Sequence, residues 1–187
     1  DEQRHAHLCV AAAESLGADP EISFELAELQ QARTDAPVTE QLLEMVVQTF
    51  AIGEVTALGL IRFALSDLPD SGYREVLKLI AGDEMLHGRI GVGILSAARA
   101  GQTEAWLPWP GDERIEALAE PYIAAMRERD VVESDEAALF EDEQAGTQLR
   151  SVGIPDSTAF RAAYHHSLDH DVAAGFKSLG LWSNEDE

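Results

Sequence analysis

The chain is poor in basic residues, in cysteine and in anything that reads as a β-strand. Only 13 lysines and arginines stand against 35 aspartates and glutamates in 187 residues, a formal net charge of −22. Such a charge repels nucleic acid and anionic lipid alike, so neither nucleic acid nor a membrane is expected as a partner. The single cysteine, Cys9, excludes an internal disulfide and any Cys-x-x-Cys motif. Together with the lack of a secretory pattern, it leads us to expect a reducing, cytoplasmic compartment. Cys9 itself reads as a small core residue. No apolar run approaches the roughly 20 residues of a bilayer span; the longest, Met45 to Gly53, is ended by Glu54. Alternating β-branched and aromatic runs do not occur.

What is present is helical. Hydrophobic residues make up 45 % of the chain, enough for one folded domain with a real core. Asp1 to Leu16 is Ala-rich and is stopped by Gly17. Residues 18–37 form a looser connection with a short helix expected over 21–32. Thr39 is the expected cap of a long helix reaching Leu65, and Ser71 opens another that runs to Ala100 and ends at Gly101. Trp106 to Gly111 is a rigid aromatic loop, with Trp106 and Trp109 as packing anchors. Further helices are expected over 112–130, 134–150 and 156–179. Asp1, not Met, begins the sequence and falls inside a helical pattern, so the chain reads as one that has lost its beginning.

Projected onto helical faces, the long segments place charge where apolar residues belong. In the helix from Thr39 the stripe is Leu43, Val47, Phe50, Leu58, Ile61 and Leu65, and Glu54 lies four residues after Phe50 and four before Leu58. In the next helix the stripe is Val76, Leu77, Ile80, Ile94 and Leu95. Glu84 follows Ile80 by four, and His87 follows Glu84 by three. A buried carboxylate without a partner costs several kcal/mol, so these groups call for a cation, a proton or a hydrogen-bond partner.

The N-terminal helix repeats the pattern. Asp1-Glu2-Gln3-Arg4-His5 matches Asp83-Glu84-Met85-Leu86-His87 at the Asp, Glu and His positions. Spacing i, i+3 puts a carboxylate and an imidazole side by side on one face, and carboxylate-bridged dinuclear sites in helical bundles use this Glu-x-x-His unit twice, with single glutamates from two other helices. The chain offers Glu2-x-x-His5, then Glu54, then Glu84-x-x-His87.

On these residues the sequence resembles the ferritin-like di-iron carboxylate superfamily, in its oxygenase and oxidase branch. The resemblance covers residues 1 to about 100 and accounts for five of six ligands; the sixth, a Glu on a first helix, would lie upstream of Glu2. It implies an all-α fold: a ferritin-like antiparallel four-helix bundle core over 1–101, with a helical extension over 102–187 packed on it. It further implies that Glu2 and Glu84 bridge two metal ions, that His5 and His87 each serve one, and that Glu54 is a terminal ligand beside His87. Asp1 and Asp83 look like the aspartates that accept the imidazole N–H and fix its tautomer. The ions would be two irons, with manganese as the alternative, since hard carboxylates with imidazoles suit either. A homodimer is a further implication.

Other features carry weaker signals. His166 and His170 stand one turn apart, with Asp169 between them, a candidate extra metal pair or an exposed polar face. Arg62, eight residues after Glu54, could meet a substrate carboxylate, a core carboxylate or solvent. Glu133, Asp135, Glu136, Glu141, Asp142 and Glu143 read as a solvated face. Three functions compete on this scaffold. The first is a dioxygen-activating oxidoreductase acting on a small organic substrate, its electron donor unspecified. The second is a ferroxidase, iron-storage or peroxide-reducing protein of the rubrerythrin type. The third is a non-catalytic helical module.

Overall fold

The computed structural model describes residues 1–19, 35–129 and 143–182, and all regular structure among them is helical. The expected helix at 21–32, the start of that at 134–150, and the acidic run except Glu143 lie outside the described residues. We label the helices α1 (Glu2–Ser15), α2 (Val38–Asp67), α3 (Gly72–Arg99), α4 (Asp112–Glu128), α5 (Glu143–Ser151) and α6 (residues 157–178).

Their ends follow local chemistry. Gly17, Gly101 and Gly180 take positive φ just beyond α1, α3 and α6, a conformation in which a Cβ would be strained. Ser71 caps α3 by accepting the Arg74 N–H at 3.3 Å, and Asp156 caps α6 by accepting from Thr158 and Ala159. Thr39 does not cap α2: the helix starts at Val38 and Pro37 holds the N-cap position. Proline needs no N–H partner there and its fixed φ leads into the first turn.

Two helices are not uniformly wound. In α2, Val46–Gly53 forms a wider π-helical turn between α-helical halves, and in α6, Ser167–Val172 does the same. The π turn advances the helix surface relative to a 3.6-residue projection. Leu43, Val46, Val47, Ala51 and Ile52 are therefore buried, while Phe50, Ile61 and Leu65 are only half-buried. On α3, Ile80, Glu84, Gly88, Gly91, Leu95 and Ala98 form the buried edge, with Val76, Leu77 and Ile94 beside it.

The main apolar core joins the first half of α2 and Leu95 of α3 to Ile115, Ala119 and Ile123 of α4 and to Tyr164, Leu168, Val172 and Phe176 of α6. Residues on both sides of position 101 thus share one core. α2 lies at its centre and packs against α3, α4 and α6, whereas α1 packs on α3. Helices α2 and α3 run antiparallel and approach closely at Gly91, where a Cβ would sit 2.5 Å from Ala51 N and Phe50 C. α1 also runs antiparallel to α3: Ser15 Oγ meets Tyr73 Oη at 3.0 Å, and His5 at the other end meets Asp83.

α2 corrects the expectation that no segment is long enough to span a bilayer. It has 30 residues, and its most apolar 18-residue window has a mean hydropathy of 1.4, so by length and composition it could cross a membrane. Glu54 interrupts the apolar sequence but not the helix. A helix at the centre of a bundle meets the same criterion. Near the connection to α4, Leu107 is buried and its carbonyl accepts from Thr103 Oγ1. Trp109 donates to Asp112 and lies under Arg99. Trp106 is half-exposed and is not the packing anchor expected.

Candidate metal centre

The antiparallel register of α1 on α3 brings the two Glu-x-x-His units face to face, and α2 adds Glu54 from the side. Potential ligand atoms fall into two sets that share Glu84: Glu2, His5 and Glu84 in one, and Glu54, Glu84 and His87 in the other, with each set's donor atoms within 4.8 Å of one another. All five residues singled out as ligands in the sequence are therefore neighbours in space.

Two carboxylates span both imidazoles. Glu84 places Oε1 3.2 Å from His5 Nδ1 and Oε2 3.2 Å from His87 Nδ1. Glu2 places Oε2 3.4 Å from His5 Nδ1 and Oε1 3.4 Å from His87 Nδ1. Glu54 reaches the His87 side alone, at 3.8 Å. The side chain of Glu84 is 7 % exposed and that of Glu2 is 71 % exposed, so the centre has a closed floor and an open rim. Glu54 is half-buried and stands at the edge of the α2 stripe, not in its middle.

The outer nitrogens are held crosswise. His5 Nε2 lies 2.8 Å from Asp83 Oδ2, so the aspartate of α3 orients the histidine of α1. His87 Nε2 lies 3.4 Å from Asp1 Oδ2, the reciprocal arrangement. An Nε2–H donating outward to a carboxylate leaves the Nδ1 lone pair facing Glu2 and Glu84, the tautomer a metal ligand needs. Arg4 was not singled out in the sequence, yet its guanidinium pairs with Asp83 and lies 3.6 Å from Asp1. Its placement three residues after Asp1 was the available signal. The hydrogen bond from His5, aided by Arg4, holds the Asp83 carboxyl below its ordinary range.

Glu54 is pushed up to about 7. Burial is the largest cause, followed by its hydrogen bond to Glu84 and the repulsion of that carboxylate, with His87 acting against them. Two carboxyl groups this close share a proton unless a cation takes its place. The donor set of three glutamates and two imidazoles, free of thiolate, suits iron or manganese chemistry. Cys9 is exposed and is neither a core residue nor part of either donor set. On α1 only His5 is buried, and among the described residues α3 is the one helix that packs on it with more than marginal contact.

His166 and His170 face each other with ring centroids 4.4 Å apart, both exposed. They belong to no group of three or more potential ligands among the described residues. Asp169, between them, pairs with Arg127 at 2.5 Å. Arg62 is exposed and lines a groove between α2, α3 and α6. No family model matches the chain, and no curated protein or solved structure matches it either.

Proposed function

We propose that this chain carries a carboxylate-bridged dinuclear metal centre of the ferritin-like type, with two iron ions held by Glu2, His5, Glu54, Glu84 and His87, and that it activates dioxygen to oxidise a small organic substrate. The observation that supports this reading best is the pair of glutamates, Glu2 and Glu84, each spanning the same two imidazole Nδ1 atoms. A single ion or a structural ion pair does not call for two such bridges. Under this reading α1, α2 and α3 are three of the four helices of a bundle. The His87 side has Glu54 as an additional carboxylate, so the reading asks for one further carboxylate on the His5 side.

A pair of bound irons would supply electrons to dioxygen, and the protein's own residues do the rest. Asp83 and Asp1 keep the imidazoles oriented, while buried Glu84 fixes the spacing of the two halves. Glu54, which burial and Glu84 keep partly protonated near neutral pH, releases its proton as positive charge arrives. The open rim at Glu2 is the side from which small molecules reach the centre.

Metal content per chain tests the reading, measured after anaerobic Fe(II) loading of wild type, Glu84→Ala, His87→Ala and the remote Arg114→Ala. About two irons in wild type and Arg114→Ala, with loss in the other two and dioxygen uptake by the loaded protein, is the expected result. Equal metal in all four overturns it. A load of many irons per chain would instead select the storage function.

A further inference from the structure

Most arginines among the described residues of this strongly acidic chain are engaged. Arg4, Arg99, Arg114 and Arg127 each pair with an aspartate or glutamate, and Arg74 donates to the carbonyls of Leu65 and Leu68. Arg62 of α2, Arg89 of α3 and Arg129 make no side-chain hydrogen bond or ion pair among the described residues, and the first two line the same groove. A net charge of −22 makes two unpartnered guanidinium groups in one groove a local inversion of the chain's field.

The groove has a volume of about 580 Å³, within the range of about 300–1,000 Å³ typical of small-molecule sites. Its walls are apolar where α2, α3 and α6 meet, with Val55, Leu58, Val92 and Leu179 contributing. Small residues keep it open: a Cβ on Gly93 would meet nothing within 4 Å. Among the described residues Asp171 is the one acidic residue in the lining, and it accepts a hydrogen bond from Ser167 Oγ at 2.9 Å, which ties it to its own helix. Two cations against one tethered carboxylate leave the groove net positive.

We propose that this groove binds an amphiphilic carboxylate, its head group at Arg62 and Arg89 and its hydrocarbon along the apolar walls. Guanidinium groups are the side chains best suited to carboxylates, through paired N–H donors and weak hydration. An apolar tail accounts for the rest of the lining, which a small inorganic anion would leave unused. Val55 and Gly88 directly follow Glu54 and His87 in sequence, so an occupant would lie against the two helices that carry those residues. The proposal stands independently of whether the centre holds metal.

Calorimetric titration of the full chain in EDTA with decanoate, decanol and decyltrimethylammonium tests it. Decanoate is expected to bind at least ten-fold tighter than decanol, and the cationic amphiphile not at all. Arg62→Gln/Arg89→Gln should weaken decanoate at least ten-fold with an unchanged melting temperature. Gly93→Phe, which fills the groove and keeps both arginines, should weaken it as well. Equal binding of decanol and decanoate overturns the proposal, as does undiminished decanoate binding in the double arginine variant or in Gly93→Phe.

Discussion

Glu54 makes metal binding and stability antagonists in the metal-free protein. Its carboxyl is raised from an ordinary 4.5 to about 7 because burial and Glu84 both disfavour its charge. Between these two values the folded chain holds a proton that the unfolded chain has released. Stability therefore falls as pH rises through that window, and the whole penalty is present above pH 7. At about 1.4 kcal/mol per pKa unit the penalty comes to about 3 kcal/mol at pH 8. Residual solvent contact of Glu54 brings the expected figure nearer to about 2 kcal/mol. Glu54→Gln keeps the shape and removes the charge, so it should melt about 4–8 °C above wild type at pH 8 in EDTA, and at the same temperature near pH 4.5. The assay is thermal melting by circular dichroism from pH 4.5 to 8.5. Mn(II) at pH 8 should reverse the order, stabilising wild type more than the variant, because a cation then satisfies the charge that burial penalises. Identical pH dependence of wild type and Glu54→Gln without metal would refute the reasoning.

Three further outcomes follow from the same geometry. Asp83→Asn should weaken metal binding by about 10–100-fold in a competition titration while leaving the fold intact, since it removes the carboxylate that orients His5. Gly91→Ala should lower unfolding free energy in urea by about 1–3 kcal/mol, because the new methyl group meets the backbone of Ala51 and Phe50 at 2.5 Å; a change below about 0.5 kcal/mol would show that α2 and α3 can separate at no cost. Cys9, exposed on α1, should react fully with a thiol reagent in the native protein, at a rate that urea does not increase.

Much of the candidate site was legible because its basic unit is local. Glu-x-x-His at i, i+3 defines one helical face whatever surrounds it, and the 82-residue repetition of Asp-Glu-x-x-His needs only counting. The helix ends at Gly17, Ser71, Gly101 and Asp156 were equally local, resting on caps and positive φ. Phe50 and Trp106 were misplaced for the opposite reason. A regular 3.6-residue projection cannot anticipate the π turn at Val46–Gly53, and an aromatic side chain in a loop has no face of its own to project. Cys9 likewise shares a face with His5, but burial there needs a neighbouring helix, and the only helix that packs on α1 with more than marginal contact among the described residues is α3.

By itself the sequence determined an acidic, helical chain with two matched Glu-x-x-His faces and a lone glutamate on a third segment. Backbone hydrogen bonding and side-chain periodicity decide such things within a few residues. The tertiary structure alone decided which oxygen faces which imidazole, that Asp83 orients His5 while Asp1 orients His87, that Arg4 touches both aspartates, and that Arg62 and Arg89 share a groove. Those relations depend on the register between helices up to 86 positions apart, and that register is set by packing: by the close approach at Gly91, by the π turn beside it, and by the antiparallel seating of α1 on α3.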